Sequence, residues 1–223
     1  MGTKKVNTEL SGLNDRLISV GERVFKLWLE FENTSPWEDL TDDFANIEVD
    51  LMDGRKYGIS VCTFKYFQTW IDQESKNRDV NYQVPSDLYV KELTRECIEL
   101  TISELLAEGE LEDVLNESIF FLKFIEPWWD ALDFKDCGDF LKEELNKELS
   151  ISHPLSGKKF EILAKRQDND DVLVKTDNGQ LWVVHLTWSG QEEKKGYPLT
   201  ESYLSPKDFW ERSMKEDIDD FKE

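Results

Sequence analysis

Few residues in this chain have the types and spacing that chemistry demands. Histidine occurs twice, as His153 and His185, and cysteine three times, as Cys62, Cys97 and Cys137. His185 lies in QLWVVHLTW (180–188). Strand alternation puts it with Leu181, Val183 and Thr187, on the face away from Trp182, Val184, Leu186 and Trp188. Across a hairpin it meets Asp171 if Asp177-Asn178-Gly179 is a three-residue loop, and Val172 if Asn-Gly forms a two-residue turn. The Asp171 register would make a histidine–carboxylate pair, a contact that can raise a histidine pKa. A nucleophile is still missing, because no G-x-S-x-G or comparable setting surrounds any Ser or Cys. The expectation is a structural or interface His185, with His153 before Pro154 in a connection between domains.

Metal and cofactor chemistry find no better footing. Two histidines roughly thirty residues apart and three scattered cysteines do not match zinc-ligand spacing. QDNDD (167–171) resembles the start of an oxygen-rich cation loop. An EF-hand also needs a Gly and a distant Glu, so Asp168, Asp170 and Asp171 read as an acidic turn between strands. Neither a P-loop nor a dinucleotide fingerprint occurs. The expectation is a protein with no metal, no cofactor and no catalytic residues, and not an enzyme.

Charge is the strongest compositional signal. With 48 acidic and 27 basic side chains the formal net charge is −21. Such a field opposes binding to DNA, RNA or an anionic membrane and steers a basic partner inward. The excess is uneven: residues 1–150 carry 16 basic and 33 acidic side chains, whereas 151–223 carry 11 and 15. Acids interleave with aromatics in two places, which suits burial by rings and steering by carboxylates. The first supplies Trp37, Glu38, Asp39, Asp42 and Asp43. The second supplies Glu110, Glu112, Asp113, Trp128 and Trp129. Glu48 and Asp50 join them from the outward face of a hairpin.

The elements that would position these groups are legible in outline. Thr8 can cap a helix bearing Leu10, Leu13, Leu17 and Ile18, ended by Gly21. FKLWLEF (25–31) alternates as a strand, with Phe25, Trp28 or Leu29 inward according to register. FANIEVDL and RKYGISVCTF flank Met52-Asp53-Gly54 as a hairpin. A three-residue loop with Gly54 left-handed pairs Val49 with Tyr57 and Ile47 with Ile59, burying one consistent face. Residues 66–75 read as a short helix or turn, and LYVKEL (88–93) as a strand. Thr94 caps a helix with Ile98, Ile102, Leu105 and Leu106 on one stripe, and Gly109 ends it. Phe140, Leu141, Leu145 and Leu149 mark another helix. Near 148–154 helical pattern gives way to three strands and a helix opened by Ser205-Pro206.

The expected fold is α+β: an acidic domain over 1–150, with packed helices on an antiparallel hairpin-containing sheet, and a small β-meander over 151–223 closed by a C-terminal helix. The unpaired cysteine count suits reduced thiols. The N-terminus lacks the apolar core of a signal peptide and no apolar run reaches membrane-span length. The expectation is a cytoplasmic protein that contacts neither nucleic acid nor membrane.

FANIEVDLMDGRKYGISVCTFKYF and LYVKELTRECIELTISELL together resemble small bacterial immunity proteins of polymorphic-toxin and contact-dependent inhibition systems. HPLSGKKFEILAKRQDNDDVLVKTDNGQLWVVHLTWSG resembles a short domain that recurs in bacterial proteins of unassigned function. The first resemblance implies a stoichiometric inhibitor of a cognate protein toxin, commonly a basic nuclease domain. It assigns no residue roles. A non-catalytic adaptor or regulatory binding module is the alternative.

Overall fold

The hairpin around Gly54 organises the first of two units, Met1–Phe121 and Leu122–Glu223. The structure, a computed structural model, describes residues 11–34, 37, 39–77, 86–133 and 137–222. In the first unit, β1 (Ile18–Val20), β2 (Arg23–Leu29), β3 (Phe44–Leu51), β4 (Arg55–Thr63) and β5 (Leu88–Val90) lie side by side in chain order, and β6 (Phe120–Leu122) also pairs with β4. The hairpin register is the expected one, with Val49 opposite Tyr57, Ile47 opposite Ile59 and Gly54 at φ 91°. Phe25, Leu27 and Leu29 of β2 extend the same buried face, which leaves Trp28 on the other side. The sheet is not wholly antiparallel, since β5 runs parallel to β4.

Helices α1 (Ser11–Asn14), α2 (Glu30–Asn33), α3 (Phe64–Asn77), α4 (Arg95–Glu108) and α5 (Leu111–Val114) complete this unit. Thr94 caps α4 by accepting from the Cys97 amide at 3.3 Å, and Gly109 ends it. Ile98, Ile102 and Leu106 form the buried stripe of α4. Each such side chain contributes about 1.5–3 kcal/mol of burial. The expected helix through Ile18 is corrected. Thr8 and Leu10 lie outside the described residues, α1 stops at Asn14, and Ile18 opens β1 opposite Phe25. Gly21, at φ 60°, turns β1 into β2 rather than ending a helix. A short isolated helical stripe is marginal, and the open edge of β2 offers Ile18 and Val20 backbone partners.

The second unit is an antiparallel sheet in the order β11 (Leu199–Tyr203), β10 (Leu181–His185), β9 (Asp171–Thr176), β8 (Phe160–Arg166), β7 (Trp128–Asp130). Val172, Leu173 and Val174 are all fully buried although successive side chains point to opposite faces, so both faces of β9 are covered. Leu141 and Leu145 of α6 (Cys137–Glu148) pack with Ile162, Val174 and Val184. At the C-terminus, α7 (Pro206–Phe209), a π-helical turn (Trp210–Met214) and α8 (Lys215–Lys222) follow one another, with Ser205 capping through the Asp208 amide. Phe209 meets Trp128 and Tyr203 edge-on at 5.5 and 5.2 Å.

The division therefore falls at 121/122, not near 150. β7 pairs with β8 and α6 packs its stripe on the same sheet, which draws residues 122–150 into the second unit. The first unit then holds 12 basic and 25 acidic side chains, net −13; the second holds 15 and 23, net −8. No described helix is long and apolar enough to cross a membrane.

Candidate functional site

The acid–aromatic stretches expected to form a surface divide into groups committed internally and groups left outside. In the loop before β3, Trp37 donates its indole N–H to Thr34 at 2.9 Å. Asp39 accepts from the Thr41 hydroxyl (2.6 Å), the Thr41 amide (2.9 Å) and Lys65 (3.0 Å). These bonds, led by the Thr41 hydroxyl, hold its pKa down at about 2. Asp42 also pairs with Lys65, at 3.2 Å, and Asp43 accepts the Phe44 amide. Glu38 lies outside the described residues. On the outward face of the sheet Glu48 pairs with Lys56 at 2.7 Å, and Asp50 stands between Lys26 and Lys56 in cross-strand register. Trp28 shares that face, and the half-exposed ring of Phe121 lies over Gly58.

Glu110 and Glu112 belong to the interior architecture. Glu110 accepts from Arg23 at 2.9 Å and from Arg55. Arg55, 6% exposed, also grips Asp53 through Nε (3.0 Å) and Nη2 (2.7 Å). Burial pulls the Arg55 pKa down, but Asp53 and Glu110 outweigh it and leave it raised. Arg23 donates to the Leu106 and Gly109 carbonyls at 2.7 and 2.5 Å, closing the end of α4 that has no backbone partners of its own. Glu112 is 3% exposed and lies beside the Tyr57 hydroxyl, whose pKa burial pushes up. Asp113 alone of that trio is exposed.

Of the tryptophans in the second stretch, Trp128 is buried and Trp129 partly so. Trp128 is 1% exposed and donates to Asp217 at 2.9 Å, while Trp129 packs against the α6 cluster. His185 sits opposite Asp171, with Nδ1 to Oδ1 at 2.8 Å, so the three-residue register holds. Its ring is half exposed, and Asp171 is further held by Asn169 at 2.9 Å. His153 is buried instead of lying in an open connection. Its Nδ1 accepts the Leu155 amide and its Nε2–H is directed to Thr200, which fixes the neutral tautomer; burial lowers its pKa.

Sequence reasoning passed over the outer edge of α4. Glu104 and Glu108 there, with Asp113 and Glu117 just beyond, are exposed. Glu104, Glu108 and Glu117 carry no ion pair among the described residues. The signal was present in the helical spacing, since positions 104 and 108 are one turn apart on the face opposite the apolar stripe. No group of three or more His, Cys, Asp or Glu among the described residues is arranged to hold a metal ion. Compared with known proteins, the chain matches no family model, no curated sequence and no solved structure.

Proposed function

We propose that the protein is an immunity protein, binding a basic toxin domain of nuclease type and blocking it by occupying its substrate cleft. The observation that carries this reading is the exposed ridge of Glu104, Glu108 and Glu117, without ion pairs among the described residues, on a unit of net charge −13. Carboxylates that no internal cation neutralises present a field which a cluster of Lys and Arg can answer directly. The resemblance of segments 44–67 and 88–106 to immunity proteins supports the same reading, and the reading makes the protein a non-catalytic, cytoplasmic inhibitor.

Co-purification with the product of the adjoining reading frame tests it. A one-to-one complex should form, with an association rate falling by about tenfold or more between about 50 and about 500 mM salt. Triple reversal of Glu104, Glu108 and Glu117 to Lys should raise Kd by about tenfold or more while the unfolding midpoint stays in place. Absence of a complex, or binding indifferent to salt, overturns the reading. The adaptor alternative draws on the partly buried Trp28 and the half-exposed Phe121 on the outward sheet face. It would be favoured if Trp28→Ala abolished binding to a partner and the glutamate reversal did not.

A further inference from the structure

In a protein of net charge −21, one cavity is walled by lysines. It is an open depression beside the β8–β9 end of the second unit, has a volume of about 420 Å³, and is lined by Lys142, Lys159 and Lys175 around Phe160, with Glu161 and Asp177. Lys142 reaches it from α6, with Nζ 5.8 Å from the centre of the Phe160 ring. Lys159 precedes β8, and its carbonyl accepts the Asp177 amide at 3.1 Å, which fixes the backbone of that wall. Lys175 comes from β9.

Lys91 and Lys195, like Lys142 and Lys159, lack an ion pair among the described residues, but Lys142 and Lys159 differ in facing one cavity together. Arg16, Arg23, Arg55, Arg95, Arg166 and Arg212 all sit within hydrogen-bond distance of a carboxylate. Lys142 and Lys159 have no carboxylate partner among the described residues, and Lys175 has Glu161 only at 3.8 Å. Acids outnumber bases here, so an unneutralised pair of ammonium groups facing one cavity stands against the composition of the chain. Its volume falls in the range of small-molecule sites.

We propose that this cavity binds the phosphate group of a small phosphorylated ligand. Phosphate carries close to two negative charges and accepts from point-like ammonium donors arriving from different directions, as two chain-distant lysines do. A planar carboxylate would call for the fork of an arginine, and no arginine lines the cavity. The carboxylates of Glu161 and Asp177 in the same lining can accept from hydroxyls of the organic portion.

The test is titration of the full chain with pyrophosphate at constant ionic strength, followed by backbone amide NMR. Saturable shifts should centre on Lys159–Glu161 and Lys175–Asp177. The double variant Lys142→Gln/Lys159→Gln should weaken binding by about tenfold or more, the equivalent of one charge-assisted bond. Lys91→Gln, in the first unit, should leave it unchanged. AMP should compete and citrate should not. Absence of saturable shifts, equal binding by the double variant, or citrate competing as well as AMP would each overturn the proposal. None of these outcomes depends on the toxin-binding reading, which stands or falls on the ridge variants.

Discussion

The two units differ in what their anchoring acids hold: a buried arginine in the first, backbone amides in the second. In the first, carboxylates serve arginines: Asp53 and Glu110 hold Arg55, Glu110 also holds Arg23, and Glu32 and Glu99 hold Arg95. The second has such pairs too, Arg166 with Asp217 and Arg212 with Glu201, but several of its acids also hold neutral donors. Glu148 accepts the Thr187 amide at 3.0 and 3.1 Å, Glu144 the Gly190 amide at 2.9 Å, and Asp217 the Trp128 indole. The first arrangement ties helix to sheet by paired charges, so losing one partner strands another ion. The second pins the loop after β10 onto α6, so losing an acid strands an amide. The lesson is that much of the −21 charge is structural, and only the residue left over is available to a partner.

The largest expected effect comes from Arg55→Met, which leaves Asp53 and Glu110 without their buried cation. Both carboxylates are about one-third exposed and Glu110 keeps Arg23, so it should cost the first unit about 2–3 kcal/mol, less than for a fully buried pair. Hydrogen exchange should then speed up in β3 and β4 and not in β9 and β10; uniform acceleration would break the contrast. Glu148→Ala should cost about 1–3 kcal/mol by leaving the Thr187 amide unsatisfied, and Glu148→Gln less, because an amide oxygen still accepts. Denaturant unfolding measures both, and a Gln variant as weak as the Ala variant would show that charge, not the hydrogen bond, matters there.

A smaller effect is pH-dependent. Burial lowers the His153 pKa below the ordinary value of 6.5. The folded state then binds fewer protons than the unfolded one, so this contribution is complete above 6.5 and is lost as pH falls below it. Wild-type stability should drop between pH 7.5 and 5.5 more than that of His153→Gln. Equal slopes would remove His153 from the account. The smallest effect should follow Glu104→Lys with Glu108→Lys, within about 0.5 kcal/mol of wild type. A larger loss would place those residues with the structural acids and remove the ridge from the binding reading.

How much of this could be read in advance followed the range of the interactions. The register of the Gly54 hairpin was accessible because alternation and a glycine at the third loop position act over a dozen residues. The Gly179 hairpin stayed open between Asp171 and Val172 because both of its registers bury apolar side chains. Gly54 and Gly179 do adopt positive φ, at 91° and 85°. The Thr94 cap and the Ser205-Pro206 helix start are equally local. The inner roles of Glu110 and Glu112 were hidden because their partners Arg55 and Tyr57 are more than fifty residues away in sequence. The boundary was misplaced for the same reason: the stripe of α6 looks like that of α4, and only pairing of β7 with β8 assigns it to the later sheet. Trp128 read as a surface anchor because aromatics beside acids look alike whether the acid is solvated or, like Asp217, is the ring's hydrogen-bond partner.

Gly58 has a consequence for finding relatives of this chain. A Cβ at that position would come within 3.1 Å of the Phe121 ring. A larger residue at 58 and an aromatic one at 121 are therefore mutually exclusive unless the ring moves. Among diverged sequences the two positions should change together, glycine with aromatic and larger side chain with small. That coupled pair, sixty-odd positions apart, would mark common descent after the acidic surface had drifted beyond recognition.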